Sequence, residues 1–132
     1  KLFATFNIRD ELKKCLEIMR TVEFSQKITL TNKGKFLVNK AIGQSKVIIL
    51  TNGNPIQQKN KIKQIDWGDL RKDIEIIYAN EHEPKPSTKV FENYIMRSYD
   101  VQSYNVLMIG DSNVDEEFAK RIGCSFINIV NL

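Results

Sequence analysis

Apolar residues recur along this chain in two rhythms. Residues 104–109 (YNVLMI) are an apolar run broken by a single Asn. The run is too short for a helix and lacks the alternation of a half-wet strand, which predicts a strand buried on both faces. Residues 46–50 (KVIIL), 73–79 (DIEIIYA) and 125–130 (SFINIV) read as strands for their β-branched content. Between them the spacing turns helical. Residues 10–20 carry Leu12, Cys15, Leu16 and Met19. Residues 31–42 carry Phe36, Leu37, Val38, Ala41 and Ile42 and close at Gly43. Pro55 opens a helix to about residue 65 with Ile56, Ile62 and Ile65 inward, and Pro86 and Ser87 open another through residue 99 with Val90, Phe91, Tyr94 and Ile95 on its apolar face. After Gly110, Ser112 or Asn113 caps a helix whose stripe is Val114, Phe118, Ala119 and Ile122, ending at Gly123. Residues 2–6 are too few to decide between strand and helix end. Strands alternating with helices of this length predict an α/β fold: a Rossmann-like, three-layer α/β/α arrangement around a parallel sheet with right-handed crossovers.

Composition adds bounds. At 132 residues, 42% hydrophobic and 27% charged, the chain suits one core. No apolar run approaches the roughly 20 residues that span a bilayer, and no signal-peptide pattern opens the chain, so a soluble, cytoplasmic protein without a membrane partner is expected. A net charge of +4, spread over helices without interleaved aromatics, argues against nucleic acid as a partner. Cys15 and Cys124 are too few for a disulfide framework and have no metal-type spacing, which predicts free thiols.

Candidate chemistry sits where the predicted strands stop. Asp111 follows the run 104–109, and Asp115 falls in the first turn of the next helix. Two such acids either cap and charge-balance a helix or hold a hard cation such as Mg2+. Thr51, Asn52 and Gly53 end the strand at 46–50 and precede a helix N-terminus, which makes either an ordinary Asn-Gly turn or an anion site. Lys85 stands between Pro84 and Pro86, a stiffer setting than that of a usual solvated lysine. The one histidine, His82, lies in the same loop and reads as solvated. Thr51, Lys85 and Asp111 each follow a different predicted parallel strand and should emerge on one rim of the sheet, where such folds bind ligands. A hydroxyl with backbone donors, a held lysine and an acid pair for Mg2+ together suit a phosphoryl group, whose transfer depends on charge neutralisation and positioning.

The segments ILTNG with QQKNKIKQI, KPSTKVF and MIGDSNVDEEFAKRIG resemble the second, third and fourth motifs of the haloacid dehalogenase-like (HAD) superfamily of hydrolases. The likeness covers roughly residues 31–130, and the fourth motif is its most specific part. It implies that Thr51 and the Asn52 amide, with Gly53, bind the transferred phosphoryl group, that Lys85 offsets its charge, that Asp111 ligates Mg2+, and that Asp115 supports the metal or Lys85. The superfamily's first motif, an apolar strand ending in Asp-x-Asp that supplies nucleophile and general acid, is not found. Its nearest counterpart, LFATFN at residues 2–7, places Ala4 and Phe6 where carboxylates belong. The expectation is therefore that residues 1–24 are the end of a helical cap or an N-terminal helix and residues 25–132 a HAD-like core lacking its first strand, with the nucleophile upstream of Lys1. That strand would lie between 46–50 and 104–109, so the chain should pair with an N-terminal fragment or a second chain. The implied activity is a Mg2+-dependent phosphohydrolase acting on a small phosphorylated metabolite through an aspartyl-phosphate. The alternatives are an inactive phospho-ligand or protein-binding module, and a phosphomutase or dehalogenase.

Overall fold

The computed structural model describes residues 9–132, so residues 2–6, with Ala4 and Phe6, lie outside what is described. Two compact units meet in the chain after Ile77.

The first unit contains α1 (Arg9–Thr21), β1 (Ile28–Thr29), α2 (Asn32–Ile42), β2 (Val47–Thr51), α3 (Pro55–Lys63), β3 (Ile65–Asp66), a 3-10 turn (Gly68–Asp73) and β4 (Ile74–Tyr78). The helix starts follow from local chemistry. The Thr31 hydroxyl accepts from the Gly34 amide at 3.0 Å to cap α2, and the Asn54 carboxamide accepts from Ile56 and Gln57 at 3.0 and 3.2 Å to cap α3 behind Pro55. α1 packs on α3, and two amide side chains fasten the chain that leaves it. The Val22 carbonyl accepts from Asn60 Nδ2 at 2.8 Å and from Gln64 Nε2 at 2.9 Å, while Gln64 Oε1 accepts from the Phe24 amide at 2.7 Å. Asn60 can be buried because that carbonyl satisfies it. The helix expected to reach residue 65 stops at Lys63, because Ile65 leaves it to pair in parallel with Ile28. Ile56, expected inward, is 60% exposed, since it belongs to the first turn of α3 and Asn60 leads the buried face instead.

The second unit contains a helical run over residues 89–99, π-helical at Phe91–Ile95 and α-helical at α4 (Met96–Tyr99), then β5 (Leu107–Gly110), α5 (Asn113–Ile122) and β6 (Ser125–Asn128). Its core is Ala79, Val90, Phe91, Ile95, Phe118 and Ala119. β5 and β6 run parallel, from Leu107 opposite Ser125 to Gly110 opposite Asn128, with α5 packed on both as the crossover. Gly123 ends α5 at φ 76°, a left-handed cap that glycine adopts without strain.

The α/β class and the parallel pairings of β1 with β3 and of β5 with β6 agree with the pattern in the sequence. The described strands form three two-stranded sheets, β1 with β3, β2 with β4, and β5 with β6. The strand expected over 104–109 is also shorter. Residues Ser103–Asn105 make a 3-10 turn, and Leu107 and Ile109 stay exposed on β5. Among the described residues β5 hydrogen-bonds to β6 alone. Likewise β6 stops at Asn128, whose side chain accepts from the Val130 amide at 2.9 Å and turns the chain into a final 3-10 turn. No described helix is long and apolar enough to cross a membrane.

One glycine sets a tight tolerance. A Cβ on Gly110 would lie 2.6 Å from both Cβ and Oδ2 of Asp115. Gly110→Ala is therefore expected to lower unfolding free energy by roughly 1–3 kcal/mol, the cost of overpacking a closed site. An unchanged denaturation midpoint would show that the loop has room to yield.

Candidate functional site

Where β5 ends, Gly110 brings the backbone against the start of α5, and the acid at the third helical position turns back to the loop. Ser112 and Asp115 form a reciprocal cap. The Asp115 amide donates to Ser112 Oγ at 3.2 Å, while the Ser112 hydroxyl and amide donate to Asp115 Oδ2 at 2.8 and 3.4 Å. The other carboxylate oxygen, Oδ1, accepts from Lys85 Nζ at 2.5 Å, and both side chains are about nine-tenths buried. Burial pushes the Asp115 carboxyl up, but the hydrogen bonds from Lys85 and Ser112 and the lysine charge outweigh it and hold the carboxyl below its usual range. The result is a buried ion pair with both of the acid's oxygens engaged.

The loop that carries Lys85 is tied at its base. Glu83 accepts from Ser87 Oγ at 2.7 Å and pairs with Lys89 at 4.0 Å. The exposed His82 ring stacks obliquely on Tyr94 with centroids 5.3 Å apart. Asp111 is exposed between β5 and the cap of α5. Among the described residues no three His, Cys, Asp or Glu side chains cluster as metal ligands.

Thr51, Asn52 and Gly53 belong to the first unit. Thr51 is the last residue of β2, and its hydroxyl faces two acceptors, Asn52 O and Gln58 Oε1, each at 3.3 Å. Gly53 has φ +113°, and the Asn54 cap of α3 follows. The structure thus joins Lys85 to Asp115 and sets Asp111 beside that pair's helix cap in the second unit, and it builds the Thr51–Gly53 turn within the first.

Two participants escaped sequence reasoning. Ser112 entered it only as a candidate cap, although Ser-x-x-Asp before an apolar stripe is a capping-box signature and places the acid's side chain. Gln58 entered it only within the segment QQKNKIKQI, and its added signal is that of a long amide one turn into a helix, where side chains lean toward the N-terminus.

Comparison with known proteins adds to this. The family model described as haloacid dehalogenase-like hydrolase matches residues 1–129. Two solved structures share the fold at TM-score 0.60 and 19% identity over 76% of this chain. One is a HAD family enzyme of Bacteroides thetaiotaomicron, an aspartate-to-alanine mutant in complex with magnesium and inorganic phosphate. The other is Unknown transcript 4 protein of Saccharomyces cerevisiae. The chain covers 54% and 48% of their lengths, about half of each. No curated protein matches it.

The ion pair has a pH signature. Because the native Asp115 carboxyl lies below its ordinary value, the stability it contributes is complete above about pH 4 and fades as pH falls below it. In Lys85→Met, burial acts on the acid without its cation. A loss of roughly 3–5 kcal/mol is expected, together with an acid-unfolding limb moved to higher pH. Chemical denaturation between pH 3 and 7 measures both, and an unmoved limb would mean that Lys85 does not set the charge state of Asp115.

Proposed function

The chain belongs to the haloacid dehalogenase-like hydrolase family, and on that premise we propose that it forms part of a Mg2+-dependent phosphohydrolase acting on a small phosphorylated metabolite. The observation that carries the reading is the buried Lys85–Asp115 pair: a lysine held in place by an acid is a fixed positive charge, ready where a phosphoryl group needs neutralising. Lys85 offsets phosphoryl charge, Thr51 and the Asn52 amide with Gly53 hold the phosphoryl oxygens, and Asp111 is the carboxylate that ligates Mg2+. One or two carboxylates suffice for that ion, which otherwise keeps waters and substrate oxygens, so the exposed Asp111 fits the role. Bound Mg2+ would supply further neutralisation of the phosphoryl charge. Asp115, with both oxygens engaged by Lys85 and Ser112, positions the lysine rather than touching the metal. The solved relative with magnesium and inorganic phosphate supports the same chemistry. In this reading the covalent step, an aspartyl-phosphate, needs a first-motif carboxylate that residues 1–132 do not display as Asp-x-Asp.

The second reading is a module that binds a phosphorylated ligand without turning it over. The two separate in one set of measurements. Calorimetric titration with Mg2+ should show weakened binding in Asp111→Asn, and equal affinity in both proteins would sink the metal assignment. Residues 1–132 alone should leave small phosphate esters unhydrolysed, whereas a protein that also carries the first-motif Asp-x-Asp should show Mg2+-dependent turnover that Lys85→Met lowers by about 100-fold or more, the scale for losing one electrostatic stabiliser. Mg2+-dependent phosphate binding without turnover in the protein that carries Asp-x-Asp would establish the second reading instead.

A further inference from the structure

We infer that Gln58 is a positioning residue for Thr51, its side-chain amide acting as a two-way switch that aims the threonine hydroxyl at a phosphoryl oxygen. The inference rests on the assignment of Thr51 to that group. A hydroxyl has one hydrogen, and here Thr51 Oγ1 has two acceptors, Asn52 O and Gln58 Oε1, both at 3.3 Å. At that length neither bond is strong, and in this arrangement the hydrogen points into the protein. To donate to an anion the hydroxyl must release both. Half a turn about the last torsion of Gln58, which is broad for an amide, exchanges Oε1 for Nε2. Nε2 then donates to a lone pair of Thr51 Oγ1, and the hydroxyl hydrogen is left to the incoming oxygen. No bond is made or broken beyond these hydrogen bonds.

Gly53 supplies a second observation. A Cβ there would lie 2.8 Å from Gln58 Nε2, so the amide rests against the turn in space that only glycine leaves. Gln58 reaches this place because it sits on the first full turn of α3, whose long side chains lean back over the N-terminal loop. The amide therefore touches two members of the Thr51–Gly53 group.

A double-substitution cycle on inorganic phosphate binding, followed by calorimetry in Mg2+, tests this. Thr51→Val should weaken phosphate, and Gln58→Met, which keeps length and loses the amide, should weaken it about fivefold, the scale of one net hydrogen bond. In a Thr51→Val background Gln58→Met should change nothing further. Gln58→Glu, which can only accept, is the second variant should the methionine protein not fold. Its loss of affinity should be larger with Thr51 present than with Val, which separates hydroxyl trapping from simple charge repulsion. Equal losses in both backgrounds, or no loss from either Gln58 variant while Thr51→Val weakens phosphate, overturn the switch and leave the functional reading intact. If Thr51→Val itself leaves phosphate affinity unchanged, the assignment of Thr51 falls and the switch with it.

Discussion

A lysine and an aspartate, both withdrawn from water and 2.5 Å apart, are the constraint around which the second unit is arranged. Neither charge could be buried alone, since an unpaired ion loses several kcal/mol of hydration. Their neighbours can be read as conditions for keeping them together. Gly110 leaves the space that the Asp115 side chain occupies, Ser112 occupies its second oxygen, and Phe118 and Ala119 bury the same helix against the core. On the other side, the loop bearing Lys85 is clamped at Glu83, Ser87 and Lys89. Removing water from such a pair strengthens it and fixes the lysine's position, the property a phosphoryl site requires.

Much of this was legible in the residues. Ser112, a short polar side chain ahead of apolar periodicity, reads as a cap and caps α5, whereas Thr31 and Asn54 cap α2 and α3 without having been singled out. Val90, Phe91 and Ile95 stood at helical spacing and are core. The closeness of Lys85 to Asp115, 30 residues apart, followed only from the family resemblance, because no local rule joins a loop lysine to a helix acid.

What was not legible is tertiary. Composition alone could not tell that Leu107 and Ile109 would lie exposed, because a strand's apolar content reports what it suits and not which neighbours it has. Nor could spacing foresee that Ile65 would leave its helix to pair with Ile28, a choice made by a partner nearly forty residues away. The π-helical stretch Phe91–Ile95 has the same character, since its apolar spacing reads as an ordinary helix and π segments have no distinct sequence signal.

The two candidate groups differ in how firmly they are held, and the difference follows from their bonds. Asp115 takes charge-assisted hydrogen bonds of 2.5 and 2.8 Å in a buried setting, so its geometry is settled before any ligand arrives. The Thr51 hydroxyl divides one hydrogen between two acceptors at 3.3 Å, which is a weak hold on a group that rotates freely about its C–O bond. A carboxylate that holds a buried lysine has to be fixed, because any slack would return both ions to water. A hydroxyl that must meet an oxygen brought by a ligand has to be free to turn. Of these two groups the acid carries the short, charge-assisted bonds and the hydroxyl the long ones, as expected of a fixed electrostatic group and of an adjustable donor.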